Sequence, residues 1–250
     1  MNDFSIYDIE DPVYFRGMKK SYLFLALIFL ALLSMAGALL TGSVSDADLA
    51  LIYELRLPRV LTAFAVGGLL AMSGALLQVL TRNPLAEPSV LGVSGGASVG
   101  ALAVLMMGGA GTIWVAGGAW LGSVSVLVLL WLLVGGYATH PSRLLLAGVM
   151  VATGCGAITS LMIAFASDLA MPGMIHWLMG DLDSVMSLEV VGALLGIWLS
   201  VLLILMKLAP KIHLLQLGTD KALSLGVDVP FIQWMMVLLA ALSAASAVSV

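Results

Sequence analysis

The chain has 250 residues, 62% hydrophobic and 10% charged, with a formal net charge of −4. Soluble domains carry about 25% charged residues, so this chain lacks the polar surface that a water-soluble globule requires. It has no basic run, which leaves nucleic-acid binding without an electrostatic basis.

A membrane helix needs about 20 mostly apolar residues, so charge-free windows count the spans. The polar segment 1–20 is expected to be a short tail ahead of a membrane domain over 21–250. Arg16, Lys19 and Lys20 precede the uncharged run 21–45. That run exceeds the roughly 7–15 residues of a signal-peptide core, and it reads as the first span. Seven spans follow from the whole pattern: about 21–42, 58–80, 90–107, 112–136, 143–166, 189–208 and 229–250. The third and fourth are divided by Gly108-Gly109-Ala110-Gly111. Helices satisfy every backbone group in lipid internally, and no barrel-like alternation is present. With the N-terminus in the cytoplasm, Arg16, Lys19, Lys20, Arg82, Arg143, Lys207, Lys211 and Lys221 lie inside, and only Arg56 and Arg59 lie outside. That asymmetry sets the expected orientation, and it places Asp46, Asp48, Glu54, Asp168, Asp181, Asp183 and Glu189 on the outer side. Two segments are not simple spans. The apolar piece 169–180 is too short to cross and is expected to be a re-entrant or interfacial helix. Residues 211–228, KIHLLQLGTDKALSLGVD, are expected to form one or two short amphipathic helices at the cytoplasmic face. The last span runs to Val250 without a polar flank, and the expectation is a chain cut short there.

Arg56 and Arg59 flank a Leu-Pro pair in which Pro58 suits the first turn of a helix. They are either interfacial arginines that snorkel or a docking point for carboxylates, which arginine forks bind with fixed geometry. The knot Arg82-Asn83-Pro84-Leu85-Ala86-Glu87-Pro88 is a turn, since Asn-Pro initiates turns, and is also a candidate gate at the cytoplasmic mouth. Gly92, Gly96 and Gly100 recur every four residues, and small residues at that spacing let helix backbones approach closely. No Gly-Lys-Ser/Thr follows, so this is not a phosphate loop. The span centres contain no Asp, Glu, Lys, Arg or His. Ion-coupled transporters and proton pumps rely on such groups. Ser73, Ser94, Ser98, Ser123, Ser125 and Thr153 have no paired base and are expected to be satisfied by helix carbonyls. Cys155 is a packing residue. His140, His176 and His213 fall in different loops, so no metal site is expected, and no cofactor.

The stretch 55–100, LRLPRVLTAFAVGGLLAMSGALLQVLTRNPLAEPSVLGVSGGASVG, closely resembles the permease subunits of binding-protein-dependent ABC importers for iron-siderophores, haem and cobalamin. SRLLLAG at 142–148, HWLMG at 176–180 and LQLGTDKALSLG at 215–226 are similar to further segments of that family. The resemblance implies an all-α polytopic ten-helix permease fold, with about seven transmembrane helices in this chain, working as a homodimer or as paired homologous halves. It implies a non-catalytic translocation subunit in the cytoplasmic membrane. Its partners would be an ATP-binding subunit, an extracytoplasmic substrate-binding protein and the lipid bilayer. By matching motif, Leu214, Leu215, Leu217, Gly218, Ala222, Leu225 and Gly226 would couple to the ATP-binding subunit. Arg56 and Arg59 would dock the binding protein. Asn83, Leu85, Pro141 and Ser142 would narrow the cytoplasmic end of the pathway, although Pro141 replaces a small hydroxyl residue seen in some members. The family continues past the position of Val250 with three further helices. The substrate implied first is an iron-siderophore, with cobalamin or haem as alternatives. An ion-coupled secondary transporter and an intramembrane enzyme are the rivals from other classes.

Overall fold

The computed structural model describes residues 20–41, 52–109, 111–134, 141–180, 182 and 188–249, and every structural statement below concerns these. The expectations for the tail 1–19, for Asp46, Asp48, His140, Asp181 and Asp183, and for the end at Val250 lie outside them. Among the described residues there is no strand. The α-helices are α1 (Lys20–Leu40), α2 (Leu57–Thr81), α3 (Val93–Met106), α4 (Thr112–Val134) and α5 (Pro141–Ala164). They continue as α6 (Met171–Met179), α7 (Leu188–Gln216), α8 (Thr219–Ser224) and α9 (Val229–Val248). A π-turn, Ile52–Arg56, precedes α2, and a 3-10 turn, Pro88–Leu91, precedes α3.

Six helices are long and apolar enough to cross a membrane: Tyr22–Leu40, Ile52–Thr81, Thr112–Val134, Arg143–Ala164, Leu188–Gln216 and Val229–Val248. Each expected span coincides with a helix, but two differ in length. The third, expected over 90–107, is only 14 residues long in α3. At 1.5 Å per residue it rises about 21 Å, short of a hydrocarbon core about 30 Å thick. The sixth, expected to stop at 208, runs on through Pro210 to Gln216. Proline deletes one helical hydrogen bond. The helix continues because Leu208, Ile212 and Leu215 recur at helical spacing and pack against the same core. Residues 211–216 are therefore the end of α7, and only α8 is a separate short helix. In the apolar piece 169–180, α6 spans nine residues.

The chain divides into two compact units, Met1–Val60 and Leu61–Val250. In the first, α1 is apolar on every side and its large side chains, such as Phe24, Phe29 and Leu32, are exposed. A helix of this kind is solvated by lipid rather than by water. In the second unit α9 is the central helix, with 67% of its span buried. Its Asp228 caps the first turn by accepting from the Phe231 N–H at 3.1 Å.

The tightest packing in the second unit is between α3 and α4. A side chain on Gly100 would overlap the carbonyl of Gly118, and one on Gly122 would overlap the carbonyl of Gly96. A Cβ on Gly118 would lie 2.7 Å from the Gly100 oxygen, and one on Gly96 2.6 Å from the Gly122 oxygen. Two Gly-x-x-x-Gly pairs therefore face each other backbone to backbone. Gly92 does not belong to that helix face. It is the N-cap of α3 at φ 72, where an L side chain is strained. It abuts α5, where a Cβ would meet the Ala152 nitrogen at 2.9 Å. Ser123 adds a cross-helix hydrogen bond, donating to the Val93 carbonyl at 3.1 Å. Ser73 likewise donates to the Ala240 carbonyl at 2.7 Å, tying α2 to α9. Ser98, Ser125 and Thr153 bond instead to carbonyls of their own helices.

Overpacking a close-packed site costs about 1–3 kcal/mol, and here the obstacle is backbone that cannot swing away. Gly100→Ala and Gly122→Ala are expected to lower the thermal unfolding midpoint in detergent by several degrees. Gly117→Ala, on the same helix as Gly122 but with nothing within 4 Å of its added Cβ, is expected to leave the midpoint unchanged or raise it.

Candidate functional site

Three places hold the residues singled out by sequence. The first is the corner between α7 and α9. Gly218 lies at φ 117 and Gly226 at φ 78, so each supplies a backbone turn that L side chains rarely adopt. Between them α8 is closed by a Schellman cap. The Val227 N–H donates to the Ala222 carbonyl at 3.0 Å and the Gly226 N–H to the Leu223 carbonyl at 3.0 Å. Two opposite faces result. Leu215, Ala222, Val227 and Val229 are buried, and Leu214 is partly buried against the same core. Leu217, Leu223 and Leu225 are exposed. The buried face fixes the corner to the helices, and the outward leucines form an apolar edge.

The second place is the connection 82–92. Arg82 is the one described non-glycine residue at positive φ, 51°. It stands at the C′ position of α2, where the Asn83 N–H donates to the Gln78 carbonyl and the Arg82 N–H to the Val79 carbonyl. Glycine is the usual residue there, and an L-residue in this conformation costs about 1–2 kcal/mol. Asn83 then folds the chain again. Its Oδ1 accepts the Leu85 N–H at 3.0 Å, and its carbonyl accepts the Ala86 N–H at 3.1 Å. Leu85 is left 85% exposed while Ala86 is buried. Ser89 Oγ donates to the Glu87 carboxylate.

This connection is more than a turn at a helix end. Val90 and Leu91 press against Gly148, and Gly92 against Ala152. Those contacts lie about two to three turns into α5, which starts at Pro141. The chain from Arg82 to Gly92, a turn followed by the 3-10 turn Pro88–Leu91, therefore reaches the level of the third turn of α5 before α3 begins, which is why α3 is short. Backbone that is not α-helical is tolerated at such a depth where it is packed in protein or lines a cavity. Pro141 and Ser142 open α5, and their side chains lie outside the described residues.

The third place is Arg56 and Arg59, both partly buried and both engaged within the protein. The Arg56 guanidinium donates to the Leu39 carbonyl at 3.1 Å, in the last turn of α1. It thus meets a carbonyl that the helix end leaves open, at the negative end of the helix dipole.

Elsewhere, α6 docks by Met174, which is fully buried, and by Trp177 against Ala97, Ala101, Val115 and Ala119. A cavity of about 740 Å³ opens beside it, lined by Ser94, Ser98, Trp177, Gly180 and Val248 among others. Cys155 is buried and unpaired. No group of His, Cys, Asp or Glu that could hold a metal ion occurs among the described residues.

The model of the FecCD transport family matches residues 21–250. The chain belongs to this family. The vitamin B12 import system permease protein BtuC of Vibrio cholerae serotype O1 is 34% identical over 207 residues, covering 82% of this chain and 62% of that protein. Its counterpart in Escherichia coli O157:H7 is 35% identical over 196 residues, covering 76% and 57%. This chain therefore spans about three fifths of the length of the curated relatives it matches. A solved structure described as an inward-facing metal-chelate type ABC transporter superposes with a TM-score of 0.81 at 27% identity. That match covers 92% of this chain and 75% of the solved one. The six long apolar helices are those of a multi-pass membrane member of this family.

Sequence reading did not single out Gly118 or Gly122, named Gly148 only as the end of the segment 142–148, and did not mark Arg82 as a conformational exception. The Gly118-x-x-x-Gly122 spacing was a usable signal for the first two. For Arg82, Asn83-Pro84 marked the turn but not which residue takes the left-handed conformation. Arg82→Gly is expected to keep or raise the unfolding midpoint. Arg82→Val, β-branched and poorly suited to positive φ, is expected to lower stability by about 1 kcal/mol or more, measured by thermal unfolding in detergent.

Proposed function

We propose that this chain is the membrane permease subunit of an ATP-driven importer that carries a bulky metal chelate across the cytoplasmic membrane, with its N-terminus inside. The observation that carries this reading is the pairing of the α8 corner with the climbing connection in a chain of this family. An apolar outward edge stands on a buried face, and that buried face belongs to the same packed cluster as Leu80, Ala86 and Leu91. Such a corner gives an ATP-binding subunit an apolar edge to seize, and the cluster passes the displacement to Asn83 and Leu85 at the pathway mouth. The chain contains no nucleotide-binding motif, so ATP would be hydrolysed on the partner and this subunit is non-catalytic. Pro141 and Ser142, at the foot of α5, would narrow the same mouth.

A substrate-binding protein would deliver the chelate to the side bearing Arg56 and Arg59. A second permease copy, or a homologous permease, would complete the pathway. Absence of ionisable residues from the helix centres supports this over an ion-coupled transporter, which needs them. The named relatives are permease proteins of vitamin B12 import systems, and the superposed structure is described as of metal-chelate type. These names support the chelate class, with cobalamin and iron-siderophores as its two leading members.

The permease is tested by co-expression with candidate ATP-binding subunits. Stable co-purification is expected. Leu223→Asp and Leu225→Asp alter exposed positions, and they are expected to abolish co-purification while leaving the thermal midpoint within a few degrees. Retention of the complex in both variants would contradict the assigned coupling edge. Arg59→Glu is expected to weaken capture of the binding protein by at least tenfold, read by surface binding at low and high salt. Unchanged affinity would remove the docking assignment.

A further inference from the structure

We infer that Lys207 and Lys211, on α7, hold the phosphate of an anionic phospholipid in the leaflet at the α8 end of the helices. Only the membrane position of α7 is needed for this, not the importer reading.

Length comes first. α7 has 29 residues, so it rises about 43 Å, well beyond a hydrocarbon core about 30 Å thick. Its charges mark where that core begins and ends. Glu189 stands in the first turn, Lys207 is the next charged residue, and the segment between them is uncharged. They are about 27 Å apart along the axis, close to one hydrocarbon thickness. Lys207 therefore falls at the hydrocarbon boundary. Lys211, one turn further on, falls in the headgroup layer.

Packing sets the direction of the two side chains. Val201 and Leu215 are buried, and Leu205, Leu208 and Ile212 pack against the same core. These positions form the inward face. Leu199 and Leu203 lie opposite, 49% and 51% exposed, and Lys207 follows Leu203 at the next turn. Lys211 comes four residues later at the flank of that face, and both lysines are exposed. An acyl chain can lie along Leu199 and Leu203 while both ammonium groups reach its phosphate, since lysine stems rest on apolar surface with the charge held in the polar layer.

Charge supplies the choice of lipid. Neither lysine is in an ion pair among the described residues. Two carboxylates at the same end are engaged elsewhere: Asp228 caps α9, and Glu87 accepts from Ser89. Like charges four residues apart on a helix repel, and an anion between them turns that repulsion into attraction. A choline headgroup brings its own cation and offsets the gain. Each basic side chain near an anionic membrane surface is worth about fivefold in binding, so the pair selects phosphatidylglycerol over phosphatidylcholine.

The test reads lipid retained by the chain in detergent, by native mass spectrometry, after equal additions of dioleoyl phosphatidylglycerol and dioleoyl phosphatidylcholine. The parent is expected to retain phosphatidylglycerol about tenfold over phosphatidylcholine. Lys207→Gln with Lys211→Gln is expected to bring that preference below about twofold, while Lys207→Arg with Lys211→Arg keeps it. Lys221→Gln, at an exposed lysine on α8 rather than α7, is expected to leave it unchanged. Lys207→Gln alone, with an expected loss of about threefold, keeps the test open if the double variant does not fold. In parallel, phosphatidylglycerol is expected to raise the thermal unfolding midpoint of the parent, and about 0.5 M NaCl to erase that rise by screening. Equal retention of the two lipids by the parent would overturn the site, as would an unchanged preference in the glutamine variants. An equal loss in Lys221→Gln would mean diffuse attraction to the basic end and also overturn it. Displacement of the lipid by inorganic phosphate would assign the lysines to a free anion instead. Loss of a co-purifying ATP-binding subunit from the glutamine variants, with lipid retention unchanged, would assign them to that partner; failure of any subunit to co-purify with the parent bears on the importer reading alone.

Discussion

The backbone-to-backbone approach of α3 and α4 is the constraint on which the rest of this structure depends. In lipid there is little hydrophobic drive to bring two apolar helices together, so close packing must supply the attraction. Gly96, Gly100, Gly118 and Gly122 supply it by letting the two backbones meet directly, with the Val104 and Val126 side chains packed beside them. The hydrogen bond from Ser123 to the first carbonyl of α3 fixes the register. With α3 held at that height against α4, and Gly92 held against α5, its first turn starts well inside the layer of helices. The connection from Arg82 must then climb to meet it.

That climb creates the functional geometry. Residues 82–92 do not continue α2: the left-handed Arg82 ends it, Pro84 and Pro88 lack N–H groups, and only the 3-10 turn Pro88–Leu91 forms before α3. Their polar backbone is instead satisfied locally by Asn83, by the turn at Ser89 and by the left-handed cap at Arg82. A short segment folded on itself, with Ala86 and Leu91 inward, is mechanically tied to the core yet leaves the Leu85 side chain exposed. The same division recurs at α8, where Ala222 faces in and Leu223 and Leu225 face out. One packed cluster joins the two inward faces, and under the proposed importer reading that cluster would give an ATP-binding partner a handle on the gate.

Most of the helical layout was legible in the sequence because charge-free windows in a membrane protein have one economical solution. The breaks at Gly108, Gly226 and Asn83-Pro84 were legible because glycine and proline act locally. Lengths were less so. The shortness of α3 depends on Gly148 in another helix, and the extension of α7 past Pro210 depends on a core that outweighs one lost hydrogen bond. Neither is a local property. Gly92 illustrates the limit: its spacing placed it with Gly96 and Gly100, but its φ of 72 makes it a cap facing a different helix. Arg56 and Arg59 were legible as unusual, yet the bond from Arg56 to the end of α1 joins residues 17 apart and has no signature in the pattern.

The central claim is that the coupling corner and the climbing connection move as one while α3 and α4 stay locked. Hydrogen–deuterium exchange of the assembled complex, with and without ATP, tests it directly. The account predicts that exchange in 219–227 and in 83–91 changes together on ATP addition, while 93–106 is unaffected. A change confined to 219–227, with the connection indifferent to nucleotide, would contradict it.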